Sequence, residues 1–112
     1  MANNVYHTSF FENRYKRLAR KHKTLEQDLK ALEKDLTLNP EQGKSLGANL
    51  YKIRLAVESK GKGKSGGFRI ITYLIKKAAN EKEIYLLTIY DKSEESSIDK
   101  KLLLQIVKSL FS

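Results

Sequence analysis

The sequence predicts an α+β domain with the element order β-α-α-β-β-β-α, and three observations carry that prediction. Apolar residues recur at helical spacing between residues 9 and 38, at alternate positions in three runs between residues 51 and 92, and at helical spacing again after residue 98. A change of period from about 3.6 to 2 marks the passage from helices to strands. The three runs form an antiparallel meander sheet, the two early helices form a hairpin packed on one face of it, and a C-terminal helix closes the chain. The 112 residues form one domain, 1–112, large enough for one core and too short for two.

Each element has its own signal. Val5-Tyr6-His7-Thr8-Ser9-Phe10 is β-branched and aromatic and reads as a short first strand. From Ser9 to His22 the spacing of Phe10, Phe11, Tyr15, Leu18 and Ala19 is helical, with Ser9 as cap and Glu12 closing a capping box. The register Leu25, Leu29, Leu32, Leu36 marks a second helix, opened by Thr24 and ended by Asn39-Pro40. Pro40 to Asn49 is polar and contains glycine, so it reads as a connector.

Strand alternation then begins. Tyr51, Ile53, Leu55 and Val57 oppose Lys52, Arg54 and Ala56, and after Gly61–Gly67 the strand from Phe68 to about Lys76 sets Arg69, Ile71, Tyr73 and Ile75 opposite Phe68, Ile70, Thr72 and Leu74. The run Glu83–Lys92 sets Ile84, Leu86, Thr88, Tyr90 and Lys92 against Tyr85, Leu87, Ile89 and Asp91. Ser96 with Asp99 three residues on predicts a capping box for a helix whose apolar side carries Leu102, Leu103, Ile106, Leu110 and Phe111. The sheet face away from the hairpin is expected to stay partly open.

Charge is the most informative bulk property. Lys plus Arg number 22 against 13 Asp plus Glu, a net charge of +9. Between Tyr51 and Ala79 the basic residues are Lys52, Arg54, Lys60, Lys62, Lys64, Arg69, Lys76 and Lys77, and the one acid is Glu58. Such a surface attracts polyanions, although lysine-rich solvated faces also serve solubility alone. The chain has no cysteine, which excludes disulfides and thiolate metal sites and fits a reducing cytoplasm. No segment approaches the roughly 20 apolar residues of a membrane span, so a cytoplasmic protein without membrane contact is expected.

The stretch Gly61-Lys62-Gly63-Lys64-Ser65 ends in the Gly-Lys-Ser of a phosphate loop, but the pattern G-x-x-x-x-G-K-[ST] requires glycine where Glu58 stands. It also requires a helix after the serine, where a β-like run follows. Nucleotide binding is therefore not the expected role. His7 and His22 lack partners at metal-ligand spacing and read as exposed or structural, and the adjacent Glu94-Glu95 reads as solvated loop.

If the three strands are neighbours, Lys52, Arg54, Arg69, Tyr90 and Lys92 line one surface, with Lys60, Lys62 and Lys64 at its rim. Fixed cations of this kind suit metal-free RNA cleavage, in which a 2′-hydroxyl attacks phosphorus and negative charge builds on the phosphoryl and 5′ oxygens. The guanidinium groups of Arg54 and Arg69 stay protonated and cannot act as base. Lys52 can, if neighbouring cations depress its pKa. Clusters of cations also bind RNA without cutting it.

At Tyr51-Lys52-Ile53-Arg54-Leu55, Gly66-Gly67-Phe68-Arg69-Ile70-Ile71-Thr72-Tyr73 and Ile84–Glu94 the chain resembles the core strands of RelE/ParE-superfamily toxins, most of all the HigB-like branch. The likeness covers about Leu46 to Glu95; the helices on either side match in order only. It implies the toxin of a type II toxin-antitoxin system, a ribosome-dependent mRNA endonuclease without metal or cofactor, whose partners are a cognate protein antitoxin, the ribosome and mRNA. Carried over by position, Lys52 and Arg54 match the basic pair of the first meander strand, Arg69 the phosphate-binding arginine and Lys92 the basic residue ending the last strand. The RelE branch has a stacking tyrosine in its C-terminal segment where this chain has Ile98, which leaves the stacking role to Tyr90 and the base unassigned. The Lys60, Lys62 and Lys64 loop then touches RNA backbone, and an antitoxin is expected to be acidic where it meets Lys52, Arg54 and Arg69. Two other readings remain: a ParE-like inhibitor of DNA gyrase, and a non-catalytic RNA-binding module.

Overall fold

Five strands make one sheet in the order β1-β5-β4-β3-β2: β1 (Ala2–His7), β2 (Lys44–Gly47), β3 (Leu50–Leu55), β4 (Phe68–Ala78) and β5 (Glu81–Asp91). Three helices accompany it, α1 (Ser9–Lys21), α2 (Leu25–Leu38) and α3 (Lys100–Leu110). This computed structural model describes residues 2–57, 67–92 and 98–111. The predicted α+β class holds, with two additions to the meander. β1 joins as a parallel edge strand beside β5, Val5 opposite Ile84, and β2 extends the sheet beyond β3.

The segment expected to be a plain connector thus contains a strand. Gly47 pairs with Leu50 across the two residues Ala48 and Asn49, whose φ values are 52° and 64°. Both lie in the left-handed region, the geometry of a two-residue hairpin turn whose twist matches its strands. Asn tolerates that region; Ala does so rarely. The absence of a glycine there is why the turn is not conspicuous in the sequence.

One face of the sheet carries the predicted hairpin cover. Leu25, Leu29, Leu32 and Leu36 of α2 and Phe11 and Leu18 of α1 pack with Ile53, Leu55, Phe68, Ile70, Leu74, Ile84, Leu86 and Ile89. Burying each such aliphatic side chain contributes about 1.5–3 kcal/mol, so the leucine register of α2 is a main source of stability. The opposite face is more covered than expected. Leu103 and Ile106 of α3 pack on Leu50, Ile71, Leu87 and Tyr90, with Ile98, Val107 and Leu110 at the margin. Phe111 is 52% exposed yet meets Tyr85 edge-on at 5.4 Å, and Leu102 points largely outward.

Three local expectations change. The cap of α1 is Thr8 rather than Ser9, because the Phe11 amide donates to the Thr8 hydroxyl oxygen at 3.1 Å. The first strand correspondingly ends at His7. At α3 the cap is Asp99, whose carboxylate accepts from the Lys101 amide at 3.0 Å; Ser96 and Glu94-Glu95 lie outside the described residues. Third, the alternation along β5 breaks at Leu87. Ile71 pairs with Thr88 but Thr72 pairs with Leu86, so one extra residue bulges from β5. Ile84 and Leu86 face the helical pair together with Ile89, while Leu87 and Tyr90 face α3.

Thr8 ties these features together. It is buried, its amide donates to the Leu86 carbonyl at 3.2 Å, and its hydroxyl donates to the same carbonyl at 3.0 Å with the Leu87 carbonyl 3.3 Å away. One side chain therefore ends β1, starts α1 and satisfies carbonyls that the bulge would leave unpaired. Thr8→Val, which keeps the shape and removes the hydroxyl, is expected to lower unfolding free energy by about 1–3 kcal/mol, measured by urea denaturation.

His7 makes the other cross-element link. Nδ1 lies 3.1 Å from Glu12 Oε1 of α1 and Nε2 lies 2.7 Å from Glu33 Oε1 of α2, so both nitrogens donate when the ring is cationic. Burial opposes protonation as the largest single influence, but the hydrogen bonds and charges of Glu33 and Glu12 together raise the pKa above 6.5. The group whose folded pKa is raised contributes stability that is complete below 6.5 and is lost as pH rises through the higher folded value. Thermal melts across this range are expected to show that loss in the native protein and not in His7→Gln.

Candidate functional site

The register places the predicted residues in adjoining positions. Arg54 of β3 pairs with Arg69 of β4, and Arg69 pairs with Tyr90 of β5, so these three side chains form one row across the sheet. Neighbouring strands lie about 4.8 Å apart, which brings the row within the reach of a single phosphodiester. Lys52, two residues before Arg54 and on the same face, pairs with Ile71, which pairs with Thr88. The bulge at Leu87 is required for this arrangement. Strict alternation from Ile84 and Leu86 would turn Tyr90 toward the helical pair, away from Arg69.

Lys92 follows β5 by one residue and is exposed. Its charge reaches Lys52, which stands in the field of Lys44, Arg69, Arg54 and Lys92. Burial first, then those four cations, hold the Lys52 ammonium below the ordinary lysine pKa of 10.5. Among the described residues, the charges of Arg54, Arg69 and Lys92 therefore act together on Lys52.

Exposure differs sharply within the set. Lys52 is half-buried and Arg54 exposed, whereas Arg69 is 4% exposed and Tyr90 2% exposed. The Arg69 Nη1 group donates to the Phe68 carbonyl at 3.3 Å, and the Tyr90 ring sits in the core with Ile71, Leu87, Leu103 and Ile106. Tyr90 thus forms the floor of the site and offers no open ring face for stacking in this conformation. Ile98 is half-buried against the same core. Lys60, Lys62 and Lys64 lie outside the described residues.

Lys44 is the residue that sequence reasoning missed. It pairs directly with Lys52 across β2 and β3 and ranks first among the charges acting on it. The left-handed Ala48-Asn49 turn, which the sequence does not announce, brings Lys44 back alongside Lys52. The histidines serve structure: His7 bridges two carboxylates, and His22, the C-cap of α1, meets the Phe68 ring edge-on at 5.0 Å. Among the described residues no group of three or more His, Asp or Glu side chains is placed to hold a metal ion.

A basic row on an antiparallel sheet, backed by a helical pair and closed by a C-terminal helix, is the setting in which comparison with known proteins becomes decisive. The family described as RelE toxin of RelE / RelB toxin-antitoxin system matches residues 5–110. The chain belongs to the RelE toxin family. A mutant of Escherichia coli toxin RelE in the free state shares the fold with a TM-score of 0.57 at 16% identity, over 86% of this chain and 90% of that one. As a RelE-family toxin the protein has an antitoxin as counterpart. No helix among the described residues of the toxin is long and apolar enough to cross a membrane.

The convergence of charge on Lys52 has a measurable consequence. Replacing exposed Arg54 by Gln removes one of the four cations and is expected to raise the Lys52 pKa toward its ordinary value. A pH titration followed by NMR of the Lys52 ε-methylene checks the direction, and an unchanged titration would show that the charges do not converge.

Proposed function

We propose that this RelE-family toxin is a metal-independent endoribonuclease that cuts mRNA in the ribosomal decoding site and so stops translation, with the tyrosine, one residue, lysine ending of the HigB-like branch. The single observation that supports this most is the row of Arg54, Arg69 and Tyr90 beside a Lys52 of lowered pKa. Family membership supplies the context of a toxin with an antitoxin.

In this reading Lys52, in its neutral form, takes the proton of the 2′-hydroxyl as that oxygen bonds to phosphorus. The bond from phosphorus to the 5′ oxygen breaks, leaving a 2′,3′-cyclic phosphate and a 5′-hydroxyl. Arg69 and Arg54 neutralise the charge that grows on the non-bridging oxygens, a contribution largest where water is excluded. Lys92, at the open end of β5, donates to the departing 5′ oxygen. Lowering the Lys52 pKa serves the base role because more of the amine is neutral near physiological pH.

Burial of Arg69 and Tyr90 favours one competing reading, an RNA-binding module that holds backbone through its exposed cations and leaves it uncut. Primer-extension mapping of transcripts after induced expression separates the readings. Wild-type toxin is expected to produce new 5′ ends at fixed positions in the reading frame. Lys52→Gln is expected to reduce cleavage about 10²–10⁴-fold and Arg69→Ala about 10²–10³-fold, with circular dichroism confirming that both fold. Retained but uncut RNA points to the binding module. Intact transcripts with damaged DNA point to a gyrase inhibitor and overturn the nuclease reading.

A further inference from the structure

The site does not end at Lys52. On the side of Lys52 away from β4, a pocket of about 370 Å³ is lined by Gln42, Gly43, Lys44, Lys52, Ile53 and Arg54. Its volume falls within the roughly 300–1,000 Å³ usual for small-ligand sites. The lining holds three cations and one amide and has no carboxylate. A neighbouring cavity shares Gln42, Ile53 and Arg54 but is lined also by Asp28 and Asp35 of α2, which would repel an anion. An anion following the β3 edge is therefore drawn to the Lys44 side.

The backbone is shaped for this pocket. Gly43 has φ 98°, and a Cβ there would lie 2.6 Å from the Lys52 carbonyl oxygen and 2.9 Å from Ile53 Cγ1. Only glycine lets the chain press against β3 and hold Lys44 level with Lys52. The pairing sets two ammonium-bearing strand positions side by side, an arrangement that costs energy unless an anion lies between them. Lys44 and Arg69 stand on opposite sides of β3, so Lys52 and Arg54 form the wall common to the cleavage row and the pocket.

We propose that Lys44, with Gln42 and the Gly43 turn, forms a second phosphate subsite that holds the backbone phosphate of a nucleotide flanking the cleaved one. The identity of the ligand as RNA rests on the ribonuclease reading, whereas the anion-binding geometry does not. The subsite fixes the strand on the outer side of Lys52, so that the scissile phosphate meets Arg54 and Arg69 in one register. Gln42, whose Nε2 donates to the Asn39 carbonyl at 3.3 Å, is held in the lining of the pocket.

A 2′-O-methyl pentanucleotide tests the subsite without cleavage, because its blocked 2′ oxygen cannot attack. Titrated into the toxin and followed by backbone amide NMR, it is expected to shift the signals of Gly43, Lys44, Lys52 and Arg54. The slope of log affinity against log salt is expected to become shallower by about 0.7 in Lys44→Gln, the loss of one single-strand phosphate contact, and to be restored in Lys44→Arg. A slope in Lys44→Gln equal to that of the native chain overturns the proposal, as does absence of shifts at Gly43 and Lys44. Tighter binding of hexaglutamate than of the oligonucleotide at these amides also overturns it, marking the pocket as a protein-docking site. Because the probe is never cut, loss of the nuclease reading leaves this result standing, and loss of the subsite leaves the nuclease reading standing.

Discussion

The extra residue at Leu87 in β5 is the constraint on which the rest of the molecule depends. A strand serving two cores must send alternate residues to opposite faces, and β5 is asked to give Ile84, Leu86 and Ile89 to the helical pair but Leu87 and Tyr90 to α3. No uninterrupted period of 2 satisfies both sets. The bulge shifts the parity once, between the part of the strand that anchors β1 and the part that carries the site. Its carbonyls are met by Thr8, so the break in the ladder costs little hydrogen bonding.

From that shift the geometry of the cationic row follows. Tyr90 comes round to the face of Arg69, and Arg69 is held between Tyr90 and Arg54 by ladder pairing on both sides. Backbone hydrogen bonds, rather than the attraction of the side chains, keep these like charges together, and after burial, the largest cause, their proximity adds to the lowering of the Lys52 pKa. A polyanion removes that cost on binding. Repulsion stored in the free toxin thus favours any partner that brings negative charge, including an acidic antitoxin surface.

The edge of the sheet matters as much as its centre. The tight turn at Ala48-Asn49 folds β2 back on β3 and widens the basic surface by one strand, so that Lys52 becomes an interior member of the cluster rather than its border. Gly43 and Asn49 do this through backbone conformation alone. Neither contributes a charge, yet the position of Lys44 depends on both.

By itself the sequence determined the α+β class, the leucine face of α2, the meander of β3, β4 and β5, and the membership of Lys52, Arg54 and Arg69 in one basic face, because these follow from hydrophobic period and charge density over many residues. Tyr90, at the end of its strand, is expected on that face too, although strict alternation along β5 groups it with Ile84 and Leu86. Only the tertiary structure decided that it reaches that place through a bulge, that Arg69 and Tyr90 are buried, and that α3 covers the second face. It also decided that Thr8 rather than Ser9 starts α1, since the choice between adjacent hydroxyls turns on a carbonyl 78 positions away. Lys44 stayed unnoticed for a similar reason: its strand is four residues long and neither central residue of its turn is glycine, so neither leaves a periodic trace. Period and composition report averages along the chain, whereas a bulge, a cap or a short edge strand depends on single contacts between segments remote in sequence.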